Sequence, residues 1–179
     1  CRSVYGEGKY LCSEHGVVYP SGRTVEQMRS GDFNVYCPIC HEKLQLVSTD
    51  EASKISPKSL YAYTKYAQEQ MVETMCGAMD IDFTIFRFQN VYGVGQSLKN
   101  PYTGILSVFS SLLLENKPIN IFEDGNESRD FINVKDVVSA VIQSLSCPET
   151  NGEIVNIGSG KGTSVLEIAS ILRHLYCSK

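Results

Sequence analysis

Residues 56–88 read SPKSLYAYTKYAQEQMVETMCGAMDIDFTIFRF, and this stretch decides the fold. Ser56-Pro57-Lys58-Ser59 supplies turn and capping residues, and good helix formers run from about Leu60 to Met75 before Gly77, so the stretch opens with a helix. Phe83 to Phe88 is β-branched and aromatic, and the pattern breaks at Gly93 and Gly95, which predicts a strand followed by a loop. The alternation continues downstream. A helix is predicted from about Gly104 to Glu115, a short strand from Pro118 to Phe122, a turn at Asp124-Gly125-Asn126, and a helix capped by Asn133 with Asp136 that runs to about Leu145. Glu153 to Ile157 reads as a strand, the glycines at 158, 160 and 162 as a loop, and Ser164-Val165-Leu166-Glu167 as a capping box opening the last helix. Strands and helices in this order predict an α/β sheet protein with crossover helices.

Upstream of the helix the character changes. From Tyr10 to Leu46 neither a helical nor a strand period is sustained, and glycines, prolines and metal-ligand residue types cluster, so this segment reads as a loop-rich module held by something other than a core. Cys12-x-x-His15 and Cys37-Pro-Ile-Cys40 are two pairs of ligands, each with a two-residue spacer that lets both side chains reach one ion. Tetrahedral zinc suits such a set, with a redox pair or free thiols as the alternatives and His41 as a spare ligand. A polar link from Val47 to Ile55 joins the module to the helix.

Composition bounds the function classes. The 179 residues suffice for one compact domain, and a 42% hydrophobic, 20% charged chain of net charge -4 has neither a basic footprint for nucleic acid nor an acidic tail. No run approaches the roughly 18 consecutive apolar residues of a membrane span, and no targeting pattern opens the chain, so a cytoplasmic protein with no nucleic-acid or membrane partner is expected. Of seven cysteines, Cys12, Cys37 and Cys40 share one segment while Cys1, Cys76, Cys147 and Cys177 are scattered, which is not a secreted disulfide framework. The opening Cys1-Arg2-Ser3-Val4-Tyr5-Gly6 has neither an initiator methionine nor a polar fraying run and reads as internal to a longer chain.

Tyr61-Ala62-Tyr63-Thr64-Lys65 places a phenol and an ammonium four residues apart, on one face and one turn from each other. A nearby cation favours a phenolate, so such a pair can exchange a proton with a sugar hydroxyl. The pattern alone also suits an ordinary exposed helix. It gains specificity from its companions: Ser59-Leu-Tyr61-Ala-Tyr-Thr-Lys65, Arg87-Phe-Gln-Asn90-Val-Tyr-Gly93, Arg129-Asp-Phe-Ile-Asn-Val-Lys-Asp136-Val and Asn156-Ile-Gly158. In this order and at these separations they resemble the extended short-chain dehydrogenase/reductase family, the NAD-dependent nucleotide-sugar epimerases and dehydratases. The match covers Cys1 to Tyr5 and Leu60 to the end.

The resemblance implies the later half of a Rossmann-like doubly wound sheet plus part of the small nucleotide-sugar-binding domain. Residues 1–9 would be the end of a Rossmann strand and its loop, 10–46 a zinc-ribbon-like insertion, and 47–179 the catalytic helix with the later elements. By the same resemblance Tyr61 is the catalytic acid/base, and Lys65 stabilises its phenolate and grips the nicotinamide ribose. Gln89 meets the cofactor through its backbone, Asn90 and Arg129 contact substrate phosphates, and Asn156 lies near the nucleotide base. Cys1 stands where the family carries its active-site Ser or Thr. Arg2 and Ser3 stand where the 4,6-dehydratases carry Asp and Glu, which argues against dehydration.

Two features depart from the family or refine it. The Gly-x-Gly-x-x-Gly fingerprint is not in these residues, and Gly158, Gly160 and Gly162 have the wrong spacing for it, so the main cofactor cradle is expected upstream and residues 1–179 alone are expected to be inactive. A phosphate loop at 158–163 is rejected because Val155 and Gly162 occupy its required glycine and hydroxyl positions. The cysteine-bearing insertion resembles that of the dTDP-L-rhamnose 4-epimerases. The expectation is therefore NAD-dependent inversion at C4 of a nucleotide-activated sugar, a dTDP-6-deoxyhexose or UDP-sugar, through a 4-keto intermediate, by a homodimer with structural zinc. The alternatives are a nucleotide-sugar reductase or 4,6-dehydratase and, in another class, a non-catalytic zinc-bearing remnant that binds nucleotide sugar.

Overall fold

The structure is a computed structural model that describes residues 1–98 and 104–176, so the predicted stray cysteine Cys177 lies outside the described residues. The chain divides into two compact units, Cys1–Arg87 with Ser146–Asn156 and Phe88–Leu145 with Ile157–Lys179.

The first unit opens with a 3-10 turn, Arg2–Tyr5, in which Val4 and Tyr5 are buried. The next segment is more regular than its sequence suggests. Strands β1 (Tyr10–Cys12), β2 (Gly16–Val18) and β3 (Gln45–Leu46) form an antiparallel sheet in the order β2-β1-β3, and a short helix α1 (Val25–Arg29) is capped by the Thr24 hydroxyl. Such short strands carry too little alternation to be legible as a period. Tyr10, Cys12, Val18, Cys37 and Leu44 turn inward as a small core, with Val35 and Cys40 against it.

Helix α2 spans Leu60–Met79, and the Ser59 hydroxyl accepts from Ala62 N at 3.1 Å as its N-cap. It does not stop at Gly77. One glycine costs only about 1 kcal/mol relative to alanine, and the helix ends instead where Asp80 takes the left-handed conformation with φ 53°. Only Ala62 and Glu69 of α2 are buried. Strand β4 covers Ile85–Phe88, shorter than predicted, and it pairs with a later strand, Ile154–Ile157. The bonds from Ile85 N to Glu153 O and from Gln89 N to Ile157 O advance together along both strands, the sign of parallel pairing.

In the second unit β5 (Asn90–Tyr92) leads through α3 (Ile105–Leu114) to β6 (Ser128–Asn133), which runs parallel to it with Asn90 opposite Phe131. The segment 118–122, predicted as a strand, forms none. Pro118 lacks the amide proton that a ladder needs. The strand is the polar run SRDFIN at 128–133, which sequence alternation does not mark and pairing on both sides creates. Helix α4 (Val134–Ser144) follows at once, capped by the Asn133 side chain, which accepts from Lys135 N at 2.9 Å. The strand at 154–157, here β7, leads to β8 (Gly162–Ser164), antiparallel to β6, and to α5 (Val165–Leu175). Its predicted capping box is present: Glu167 N donates to Ser164 Oγ at 3.1 Å, and Ser164 N to Glu167 Oε2 at 2.8 Å. Among the described residues no helix is long and apolar enough to cross a membrane.

Candidate functional site

Tyr61 and Lys65 lie in the first two turns of α2. The Tyr61 side chain is 57% exposed, and Lys65 Nζ is 5.7 Å from its ring centroid. Lys65 also donates to Gln68 Oε1 at 3.1 Å. The third predicted member is close. Cys1 Sγ lies 3.7 Å from the Tyr61 hydroxyl and 3.0 Å from Ser3 Oγ, so a sulfur, a phenol and an ammonium share one open patch of the first unit.

Beneath this patch lies a set of polar groups that the sequence does not announce. Glu69 continues the spacing of four from Tyr61 through Lys65, and it is 5% exposed. Arg87, 2% exposed on β4, donates to its carboxylate from Nε at 3.3 and 3.1 Å and from Nη2 at 2.8 Å. Its Nη1 donates to the Tyr5 hydroxyl at 2.8 Å, and the guanidinium also lies 4.9 Å from the Tyr5 ring centroid. Burial pushes the Tyr5 hydroxyl up, against the opposing pull of Arg87, so it keeps its proton and donates it to Asn156 Oδ1 at 2.9 Å. A buried charge pair needs this degree of satisfaction to be tolerated. The signal that could have found it is a glutamate recurring on the Tyr61–Lys65 face together with an arginine in an otherwise apolar strand.

Asn156, assigned by resemblance to the nucleotide base, has both ends of its amide engaged within the first unit. Oδ1 accepts from Tyr5, Nδ2 donates to Thr49 O at 3.2 Å, and the backbone N donates to Glu51 Oε1 at 2.7 Å. Gln89, Asn90 and Arg129 belong to the second unit. Gln89 N donates to Ile157 O at 2.9 Å, and Asn90 Nδ2 to Asp130 O at 3.1 Å. Arg129 pairs with Glu127 and donates to Ser128 O. Asp130, missed in the sequence, organises the glycine loop: its carboxylate accepts from Ser159 N, Ser159 Oγ and Gly160 N at 2.7–2.9 Å.

The four predicted metal-ligating residues converge. One ligand atom from each of Cys12, His15, Cys37 and Cys40 lies within 4.8 Å of the others. Cys12 Sγ is 3.6 Å from both His15 Nδ1 and Cys40 Sγ, and Cys37 Sγ is 3.8 Å from His15 Nδ1. Zinc bonds of about 2.3 Å to sulfur and 2.0–2.1 Å to nitrogen put tetrahedral edges at about 3.8 Å for S–S and 3.6 Å for S–N, so the spacing fits that ion. His41 is not in the cluster; it takes φ 60° in the turn where its N–H bonds Cys37 O. The hydrogen bond with His15 draws the Cys12 thiol down to about 6. For Cys40 the Glu42 amide acts in the same sense, but burial and the neighbouring Cys12 and Cys37 outweigh it and push the thiol up to about 11. A site that holds one thiolate ready suits a cation.

The family model described as "NAD dependent epimerase/dehydratase family" matches residues 37–158. The chain belongs to this family. It is 37% identical over 175 residues to dTDP-L-rhamnose 4-epimerase of Burkholderia thailandensis, covering 98% of this chain and 47% of that protein. It is 40% identical over 125 residues to a putative UDP-glucose 4-epimerase of Methanocaldococcus jannaschii, covering 70% of this chain and 40% of the relative. The UDP-glucose 4-epimerase of Thermotoga maritima, solved with UDP-glucose, superimposes with TM-score 0.71 at 29% identity over 75% of this chain and 43% of its own. The chain thus spans under half the length of these relatives.

A nicotinamide cofactor is implied by the family, and the residues present fit one end of it. A phenol and an ammonium one turn apart on the open side of α2 offer hydrogen-bonding groups suited to a ribose diol. The glycine-rich turn that cradles a pyrophosphate is not among the 179 residues.

Proposed function

We propose that the protein of which these residues are part inverts the configuration at C4 of a nucleotide-activated sugar, with a dTDP-6-deoxyhexose as the first candidate substrate. The observation that carries this reading is the Tyr61 hydroxyl, exposed beside Lys65 and 3.7 Å from Cys1 Sγ. Lys65 holds the nicotinamide ribose and stabilises negative charge on the Tyr61 oxygen. Tyr61 removes the proton of the C4 hydroxyl and returns one to the 4-keto oxygen after the sugar has presented its other face. NAD, when bound, supplies the hydride acceptor and donor for this cycle. Gln89, Asn90 and Arg129 are proposed to meet cofactor and substrate phosphates, and Asn156 to shape the site from beneath. A reductase is the nearest alternative, and it differs in consuming NADH. The 4,6-dehydratase reading is disfavoured by Arg2 and Ser3 where an acid pair would be needed.

The substrate class is favoured by the extent of one alignment. The rhamnose epimerase aligns over 175 of the 179 residues, so its alignment includes nearly all of the segment 10–46. We infer that this segment binds one structural zinc through Cys12, His15, Cys37 and Cys40. Four protein ligands complete a tetrahedron and leave no position for a catalytic water. A panel of dTDP- and UDP-sugars incubated with the full-length protein and NAD tests the reading. The expected result is a C4 epimer with no net change in NADH and no loss of water. Stoichiometric NADH consumption would support the reductase, and no turnover of any sugar would support the non-catalytic remnant.

A further inference from the structure

We propose that Glu69 and Arg87 are positioning residues that set where the Tyr61 hydroxyl stands, an inference that rests on the proton-transfer role given to Tyr61. Within these residues the buried members of helix α2 are Ala62 and Glu69, and Glu69 is the charged one. The helix's link to β4 here is a buried carboxylate that meets Arg87. That anchor is directional: three N–H···O contacts of 2.8–3.3 Å hold Glu69 against a planar guanidinium, which fixes both the height and the rotation of the helix. Glu69 lies eight residues from Tyr61, about 80° further round α2, so the buried carboxylate and the exposed phenol stand on adjoining faces two turns apart.

The same guanidinium references the other side of the patch. Its Nη1 donates to the Tyr5 hydroxyl at 2.8 Å, and Tyr5 ends the 3-10 turn whose first flanking residue is Cys1. Tyr5 is locked in turn by Asn156, and Arg87 also donates to Glu51 O at 3.5 Å. Cys1 and Tyr61 therefore reach their 3.7 Å separation through two arms that meet at one arginine. An ion pair is an expensive way to hold a helix, since apolar residues of similar volume often serve stability equally well. What it adds is orientation, and a misplacement of about 1 Å can cost roughly 10²-fold in rate.

The test separates orientation from stability in the full-length enzyme, assayed with the sugar it turns over and saturating NAD. Glu69→Leu combined with Arg87→Met replaces the pair by apolar side chains, so folding and the thermal midpoint are retained within a few degrees while direction is lost. The expected result is a kcat about 10- to 100-fold lower, with KM for the nucleotide sugar within about threefold. Glu69→Gln, which keeps the shape and one acceptor, should fall between this variant and wild type. A double variant that turns over within about threefold of wild type overturns the proposal, as does a Glu69→Gln variant whose loss is confined to thermal stability. Tyr61→Phe is assayed alongside. If it alone stays active, the proton-transfer role fails; if it is inactive while the double variant is not, only the positioning role fails.

Discussion

Replacing Cys37 by serine removes one of the proposed zinc ligands, a side chain that is completely buried and 3.8 Å from His15 Nδ1. The large apolar side chains of the surrounding core are Tyr10, Val18 and Leu44. At about 1.5–3 kcal/mol for each buried side chain, they supply less than about 10 kcal/mol. Zinc supplies about 10–16 kcal/mol of apparent folding free energy in isolated zinc-finger peptides near pH 7. The proposed metal would then be the larger contribution in residues 10–46, and losing it should release that segment as a unit. Helix α2 is held by Glu69 and Arg87 and should persist. Metal analysis of the purified chain should find one equivalent of zinc, and Cys37→Ser should lose most of it. Hydrogen exchange should then show protection lost across 10–46 and kept across 60–79. His15→Ala should release the metal and His41→Ala should not. A Cys37→Ser protein that keeps a full equivalent of zinc, or a metal-free protein with unchanged exchange in 10–46, would refute the reasoning.

Other consequences are local. Gly6→Ala should lower stability by at least about 2 kcal/mol in denaturant titration, because a non-glycine residue held at φ 63° and ψ -123° costs on the order of 1–3 kcal/mol and its Cβ would come 2.3 Å from Ser56 O, a backbone atom; a change below about 0.5 kcal/mol would contradict the packing. Ser164→Ala should cost about 1 kcal/mol by removing the N-cap of α5, read as a shift in the same titration, and an unchanged midpoint would show that the cap contributes nothing. The 179-residue chain by itself should bind NAD only weakly, because it offers the ribose pair without the pyrophosphate cradle, and micromolar affinity by calorimetry would contradict that assignment.

The long helices were legible because caps and periodicity mark them locally: Ser59 and Ser164 start α2 and α5 as their side chains predict. Where the reading failed, non-local pairing decided the structure. Ser128–Asn133 is a strand because β5 and β8 flank it, not because of its own pattern. Gly77 suggested a helix end that Asp80 provides three residues later. Metal-ligand spacing is likewise a local signal, which is why Cys12, His15, Cys37 and Cys40 could be named as a candidate set in advance; the structure groups these four, while the spare His41 takes φ 60° in the turn after Cys40. Tyr61 and Lys65 are four residues apart and could be seen in the sequence. Arg87 meets Glu69 across 18 positions and Tyr5 across 82, so the sequence could flag a glutamate at helical spacing and an arginine in an apolar strand, but their pairing and the place of Tyr5 come from the fold.

Turnover by Tyr61→Phe in the full-length enzyme bears on the proton-transfer role most directly. The substitution deletes one oxygen from a side chain that is 57% exposed, so folding and nucleotide-sugar binding should be nearly unchanged. Positioned acid–base catalysis is worth about 10²- to 10⁴-fold, and kcat for C4 epimerisation should fall by that much while the sugar's dissociation constant stays within about threefold. A Tyr61→Phe enzyme that epimerises its sugar within about threefold of the wild-type rate would contradict the assignment of the proton to Tyr61.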